Sequence, residues 1–431
     1  MKLSAYNLSA PDGDDLIIYN TLTGALVVIN QDVDAVREAI KHRDISRLPS
    51  AFWSEFHELG IVVDANYDEQ AVIRVRNLTG RTQNELILSV MTTLSCNFRC
   101  SYCFQRRCRK RLTKTVEGNI MSMLLERIPK LDRLSIDWYG GEPLLERATL
   151  FRLNSWIADQ CDRQNTEYVV TVTTNGYLLD AEMVTYLSKF KVAHLQITLD
   201  GPPETHDQSR KLVGGGKTFA TILANICQAR EAGLPVSIRV NVWKPNASRV
   251  VDLYDILEAS GLKNQVAVLA KPVLSSNANP CAPLCLEPPE ASSIIMKMYM
   301  DAANDGWIVL PYADALQGHE FCIVDSVGQF IIDPSGSLYK CGENFDTGEK
   351  VGALTKNGNL LLDEPKWRSW ISKDPFAHNE CARCQFLPIC MGGCSMKRKW
   401  KPTESPCVEL KYVKDDFLRV LRRSEENREG G

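Results

Sequence analysis

Several things are missing from this chain of 431 residues, and each absence removes a class of explanation. No apolar run reaches the about eighteen residues that a membrane-spanning helix needs, so none is expected. Basic and acidic residues nearly balance, with a formal net charge of −3. The chain as a whole therefore carries no electrostatic signature of a nucleic-acid or membrane partner. Met1-Lys2-Leu3-Ser4-Ala5 leads into polar sequence, not the apolar core of an export signal, so a cytoplasmic location is the expectation. No internal repeat is visible. What is left is ordinary for a globular protein: 44% hydrophobic and 24% charged residues, in a length that suits two or three domains.

Cysteine is the residue in excess. Fifteen is an odd number in a long chain without an export signal, which argues against a disulfide scaffold. Thirteen of the fifteen lie between Cys96 and Cys108 or from Cys281 onward. Thiols grouped in this way are more often metal ligands than structural residues. Cys161 and Cys227 stand alone in helix-like stretches and read as small buried apolar residues.

In chain order, residues 1–75 read as a small domain. Asp15 to Asn20 and Gly24 to Ile29 form a predicted hairpin, followed by helical periodicity at Asp32 to Ile40 and Phe52 to Leu59. Gly60 then serves as a C-cap before the strand Ile61-Val62-Val63. Ala65 to Gln83 is mostly polar and reads as a linker. Over residues 84–275, strands at 86–91, 134–138, 168–173, 194–199, 236–242 and 266–270 alternate with helix-like stretches. Six strands each reached through a helix predict a parallel sheet curled into a partial (β/α)6 barrel, with ligands at the carboxyl ends of the strands. Residues 276–320 read as a connector, 321–424 as a cysteine-rich domain ending in a basic amphipathic helix, and 425–431 as a disordered tail.

The first strand runs into Cys96-Asn97-Phe98-Arg99-Cys100-Ser101-Tyr102-Cys103. Three thiolates from one short loop can bind three corners of an iron–sulfur cube and leave the fourth iron open. The loop resembles the CxxxCxΦC signature of the radical S-adenosylmethionine (SAM) enzymes, with Tyr102 as the aromatic residue. That resemblance implies a [4Fe–4S] cluster on Cys96, Cys100 and Cys103 and SAM at its open iron. It also gives roles to motifs that singly would be turns. Gly140-Gly141-Glu142-Pro143 resembles the motif that holds the SAM amino group, Asn175 and Thr198 would reach its ribose, and Arg210 would pair with its carboxylate.

Cys322, Cys341, Cys381, Cys384, Cys390, Cys394 and Cys407 follow an order that resembles the SPASM domain, which carries two auxiliary [4Fe–4S] clusters. The resemblance implies one cluster on Cys381, Cys384, Cys390 and Cys407 and another on Cys322, Cys341 and Cys394. Some relatives have a further cysteine where this chain has Gly328. The remaining corner is then open, or filled by Cys281 or Cys285. Cys-x2-Cys pairs also suit structural zinc, so zinc stands as the alternative at this end. The dense basic run Arg106 to Arg111 is either a solvated loop face or a means of steering an acidic peptide segment.

Together these features resemble peptide maturases built from a winged-helix-like peptide-recognition domain, a radical SAM barrel and a SPASM domain. The function implied is a 5′-deoxyadenosyl radical that takes hydrogen from a ribosomally made precursor peptide, leaving an oxidative intrapeptide crosslink (thioether or carbon–carbon). A low-potential donor of flavodoxin or ferredoxin type would supply electrons. One rival is an anaerobic sulfatase-maturing enzyme, which forms formylglycine. Those relatives place Asp directly after the cysteine matching Cys341, where this chain has Gly342-Glu343. The other rival is a non-catalytic metal scaffold. Glu343 and Asp325 are both candidate proton acceptors, and no catalytic residue is selected.

Overall fold

The outermost residues of the chain fold together. A computed structural model describes residues 1–105, 108–274, 281–309, 322–344, 348–400 and 406–430. The Arg106-Arg107 pair of the basic run and the stretches 275–280 and 310–321, at the two ends of the connector, lie outside these residues. The chain divides into two compact units: residues 1–81, 288–325 and 373–431 in one, and residues 82–287 and 326–372 in the other.

In the first unit β1 (Lys2–Leu3) pairs with β5 (Val62–Val63), and β2 (Asn7–Asp12), β3 (Asp15–Asn20) and β4 (Leu26–Ile29) form an antiparallel sheet in that order. The predicted hairpin is β3–β4. The continuous apolar run Leu16-Ile17-Ile18-Tyr19 is buried along its whole length, as expected for a strand covered on both faces. Leu16 and Ile18 pack with Val36, Ala39 and Ile40 of α1 (Val33–His42) and Phe56 of α2 (Trp53–Glu58). Tyr19 meets Phe417 edge to face at 6.0 Å, on the helix Lys414–Glu429. Arg422 of that helix bonds Asp12 at 3.0 Å and Asp15 at 2.9 Å.

Two expectations change here. The helix continues to Glu429, so residues 425–429 are not a disordered tail; Asn427 ties them to the carbonyls of Ala303 and Trp307 at 2.7 and 2.9 Å. The polar stretch read as a linker contains α3 (Glu69–Arg81), whose buried stripe of Glu69, Ile73, Asn77 and Arg81 is mostly polar. That composition hides a helix from a hydrophobic pattern.

The second unit is built on a ten-stranded mixed sheet. Six parallel strands lie side by side in chain order: β6 (Glu85–Thr93), β7 (Arg133–Gly140), β8 (Glu167–Thr174), β9 (Val192–Thr198), β10 (Val236–Val242) and β11 (Ala267–Pro272). These are the six expected strands, and their connections carry α4 (Lys114–Arg127), α5 (Arg147–Gln164), α6 (Ala181–Leu187), α7 (Pro203–Ser209), α8 (Phe219–Glu231) and α9 (Leu253–Ala259). The helices start where capping chemistry permits: Thr113 accepts from Val116 N–H at 3.2 Å and Asp180 from Met183 N–H at 3.0 Å. Along the strands burial alternates with period two. Leu134, Ile136, Trp138, Val170, Val172, Ile238 and Val240 are fully buried, each stabilising the sheet by about 1.5–3 kcal/mol. The opposite face carries the half-buried polar residues Asp137, Tyr139, Thr171, Thr173, Gln196, Arg239 and Asn241.

A seventh parallel strand went unforeseen. β12 (Gln329–Ile332) pairs with β6 on its other side, and β13 (Ser337–Tyr339), β14 (Gly352–Leu354) and β15 (Leu360–Leu362) extend the sheet antiparallel. Gly328 opens β12, and a Cβ there would lie 2.3 Å from the Glu85 carbonyl oxygen. Strand pairing thus excludes any side chain, cysteine included, at the position where some relatives carry a cluster ligand.

Candidate functional site

The cysteine loop is fixed at both ends and along its length. Leu94 N–H donates to the Lys110 carbonyl at 2.9 Å and Leu112 N–H to Thr92 at 2.8 Å, closing the loop at the carboxyl end of β6. Four more backbone contacts strap it to the end of α7 and the segment that follows: Arg99 to Lys211 (2.7 Å), Ser101 to Ser209 (2.9 Å), Val213 to Asn97 (2.8 Å) and a bridge between Phe98 and Leu212. Arg210 is carried on that segment, which explains how a residue over a hundred positions away reaches the loop.

The side chain of Arg210 is buried, and Nη1 donates to the Tyr102 hydroxyl at 2.7 Å. Tyr102 in turn donates to Asp200 Oδ2, and Asn241 Nδ2 donates to the same hydroxyl at 3.1 Å. Asp200 Oδ1 accepts from Asn241 N–H at 2.8 Å, and its other oxygen lies 3.9 Å from Arg210. Burial raises the Asp200 carboxyl, while Arg210 and Tyr102 pull it back down. Arg210 Nε has no hydrogen-bond partner among the described residues although it is buried. An unspent guanidinium donor beside the cysteine loop is what an anionic ligand group would satisfy.

The two glycines lie against the root of the cysteine loop. A Cβ on Gly140 would meet the Thr93 carbonyl oxygen at 2.3 Å, and one on Gly141 the Ser95 carbonyl oxygen at 2.3 Å. Gly141 N–H and Glu142 N–H donate to those same carbonyls at 2.9 Å each. The close approach that they allow is therefore to the root of the cysteine loop. Glu142 is fully buried and accepts from Leu144 N–H (3.0 Å), the Thr174 hydroxyl (2.7 Å) and Asn175 N–H (2.8 Å). A carboxylate has about four acceptor sites, so one remains for an ammonium group. Pro143 opens the short turn Pro143–Glu146. Asn175 spends its amide within the protein: Nδ2 donates to Asn97 Oδ1 at 2.8 Å, with Cys96 Sγ at 3.9 Å. Thr198 ends β9 half-buried, and among the described residues its hydroxyl is without a protein partner.

Burial pushes the Cys96 thiol up to about 12; the Phe98 N–H works against this, and Glu142, Cys100 and Cys103 reinforce it. Crowded thiols of this kind ionise together only beside a positive group such as iron. Among the described residues no three Cys, His, Asp or Glu side chains converge on one point, as they would around a single ion. Ligands of a cube bind separate irons and need not converge. Cys281 and Cys285 are buried against Tyr102, Trp243, Val273 and Cys100, so they pack beside this loop.

In the first unit Cys381, Cys384, Cys390 and Cys407 all line a single cavity of about 580 Å³. Burial pushes the Cys390 thiol up, with Cys407, Cys384 and Cys381 adding to the rise and the Val408 N–H opposing it. This is the four-residue set that the SPASM resemblance implies, and a roomy cavity lined by four thiols whose thiolates would repel one another suits a cluster. Cys322 and Cys394 belong to the same unit, held at Asp325: its N–H donates to the Cys322 carbonyl at 2.9 Å and Ser395 donates to its carboxylate at 2.7 Å. Asp325 is fully buried against Lys373 at 2.5 Å, with Arg81 at 3.9 Å. Cys341 lies in the other unit, after β13. The motif signal did not extend to Asp200 and Asn241; their positions at the ends of β9 and β10 were the available clue.

Comparison with known proteins agrees with this geometry. Residues 90–257 match the family model of the radical SAM superfamily. The chain is 23% identical over 337 residues to a cysteine-type anaerobic sulfatase-maturating enzyme of Clostridium perfringens, covering 74% of this chain and 90% of the relative. A solved structure of native anSMEcpe with bound AdoMet and Cp18Cys peptide superposes with a TM-score of 0.63 at 20% identity, covering 79% of this chain and 99% of that one. Streptococcus suis SuiB bound to precursor peptide SuiA gives 0.54 at 14% identity, covering 93% and 97%. Among the described residues no helix is long and apolar enough to cross a membrane. A cysteine loop at a strand end, an arginine strapped to it, and a family match over the same strands lead to one conclusion: residues 90–257 are a radical SAM domain, the domain of enzymes that work with SAM and a [4Fe–4S] cluster.

Proposed function

We propose that this chain is a peptide maturase that takes hydrogen from a ribosomally made precursor peptide and leaves an oxidative intrapeptide crosslink, thioether or carbon–carbon. When bound, SAM and the cluster on Cys96, Cys100 and Cys103 would supply the hydrogen-abstracting radical. The chain's own residues orient and enclose. Arg210, held by Tyr102 and Asp200, offers Nε to the SAM carboxylate; Glu142 offers its last acceptor site to the amino group; Thr198 offers its hydroxyl to the ribose. Gly140 and Gly141 let the β7 turn seat under the loop. Two auxiliary clusters, making three in all, would use Cys381, Cys384, Cys390 and Cys407, and Cys322, Cys341 and Cys394. A flavodoxin or ferredoxin is the expected electron donor.

The observation that carries the peptide reading is the sheet β2–β3–β4. Among the described residues β4 pairs only with β3; Leu26 and Val27 are half-buried and Val28 is 39% exposed, while Ile29 is buried in the core. An unpaired strand edge beside α1 is a surface on which an extended peptide can add a strand. The likeness to SuiB over 93% of the chain supports this reading. The sulfatase-maturing reading is the second, favoured by the identity to the Clostridium perfringens relative over 74% of the chain. Gly342-Glu343 after Cys341 counts against it.

The test is to incubate the reduced, cluster-loaded protein with SAM and the peptide encoded by a neighbouring small open reading frame, with sulfatase-derived peptides in parallel. A product lighter by two hydrogens from the first supports the proposal. Formylglycine in the second, with the first unchanged, would replace it by the sulfatase reading.

A further inference from the structure

Two cations point at the thiols of the four-cysteine cavity. Arg398, on the helix Ser395–Trp400, places Nη2 3.1 Å from Cys381 Sγ, and its Nε donates to the Gly392 carbonyl at 2.6 Å. Gly392 makes room for this: it has a φ of 82°, and a Cβ there would sit 3.6 Å from Arg398 Nη2 and 3.0 Å from Pro375 Cβ. The guanidinium is thereby anchored at one nitrogen and free to donate to sulfur with another. On the rim, Lys411 Nζ lies 3.7 Å from Cys407 Sγ. Both residues line the cavity along with the four cysteines, and Glu380 lines it as the opposing anion.

We infer that Arg398 and Lys411 set the reduction potential of the cluster bound by Cys381, Cys384, Cys390 and Cys407. The inference rests on the cluster assignment proposed above and goes beyond it by naming the residues that tune it. A cluster held by four thiolates gains negative charge on reduction. N–H···S donation and nearby positive charge stabilise that reduced form and so raise the potential. Two of the four ligand sulfurs have such a donor, Arg398 half-buried and in closer contact, Lys411 exposed to solvent and so more open to screening. A cluster so poised is a better acceptor for the electron released when a substrate radical is oxidised. Arg398 and Lys411 are positioning residues: they act through sulfur and touch no substrate.

The experiment is an anaerobic redox titration of the reconstituted full-length protein, followed by electron paramagnetic resonance. The Cys381→Ala/Cys384→Ala double variant identifies which signal belongs to this cavity. Lys411→Met and Arg398→Gln should shift that signal alone to more negative potential, with iron content unchanged. The Arg398→Gln shift should be the larger, and the Lys411→Met shift should shrink as ionic strength rises. Unaltered potentials in both variants at full iron content would overturn the inference, as would loss of cavity iron in Lys411→Met, which would make that residue a structural support. If the double cysteine variant loses no iron, the cluster assignment fails instead, and the two failures are distinguishable.

Discussion

At the residue scale, the Tyr102 hydroxyl is the joint between the cysteine loop and the far strands. It donates to Asp200 and accepts from Arg210 and Asn241 within a buried pocket. Tyr102→Phe keeps the ring but leaves those groups unsatisfied, at a cost of about 1–3 kcal/mol. The expected outcome is a lower melting temperature and weaker SAM binding by equilibrium dialysis, with iron content retained. Loss of the loop's iron with unaltered SAM affinity would show the ring, not the hydroxyl, to be the working part. Asp137 gives a second prediction. Burial raises its carboxyl to about 6, with Thr173 and Ser89 opposing the rise. The folded value lies above the unfolded value of about 3.9, so its contribution to stability is complete below about pH 4 and is lost as pH rises through about 6. Asp137→Asn should flatten the pH dependence of unfolding between those limits and be the more stable protein, relative to wild type, at the alkaline end. Denaturant titrations across the range read this directly.

At the scale of elements, the strands and their order were legible because the parallel run alternates cleanly between apolar and polar faces. Three features were not. β12 is four residues long and sits among turns and cysteines, so its pairing with β6 had no periodic signal. In α3 the buried stripe includes Glu69, Asn77 and Arg81, of which Glu69 bonds the distant Ser4 and Arg81 the Lys373 carbonyl. The double glycine was legible as part of a motif, but what it approaches, Ser95 and Thr93, depends on register between β6 and β7. Gly141→Ala would put a Cβ 2.3 Å from a backbone oxygen with no flexible end to yield. It should cost about 1–3 kcal/mol as an overpacking change and dislodge the cysteine loop. Iron and labile-sulfide analysis after anaerobic reconstitution should then show one cluster fewer, with full occupancy as the contrary result.

At the scale of the molecule, the chain's ends share one unit, which local patterns over residues 1–75 did not disclose. Phe417 is fully buried against Tyr19, and Arg422 reaches Asp12 and Asp15. Deleting residues 1–75 should therefore not release a well-folded remainder. The exposed helix face should lower the melting temperature and promote aggregation, and a monomeric truncation with unaltered melting would contradict this. Phe417→Ala in the full chain, expected to cost about 3–5 kcal/mol, separates the packing effect from loss of the strands.

The central claim is that the radical made at the Cys96–Cys103 loop acts on a peptide. The most direct measurement supplies the neighbouring-gene precursor peptide deuterated at its carbon positions and follows the mass of 5′-deoxyadenosine during turnover. Deuterium carried into 5′-deoxyadenosine, together with a modified peptide, is the predicted result. Deoxyadenosine that stays free of deuterium while the peptide is recovered unchanged would contradict it.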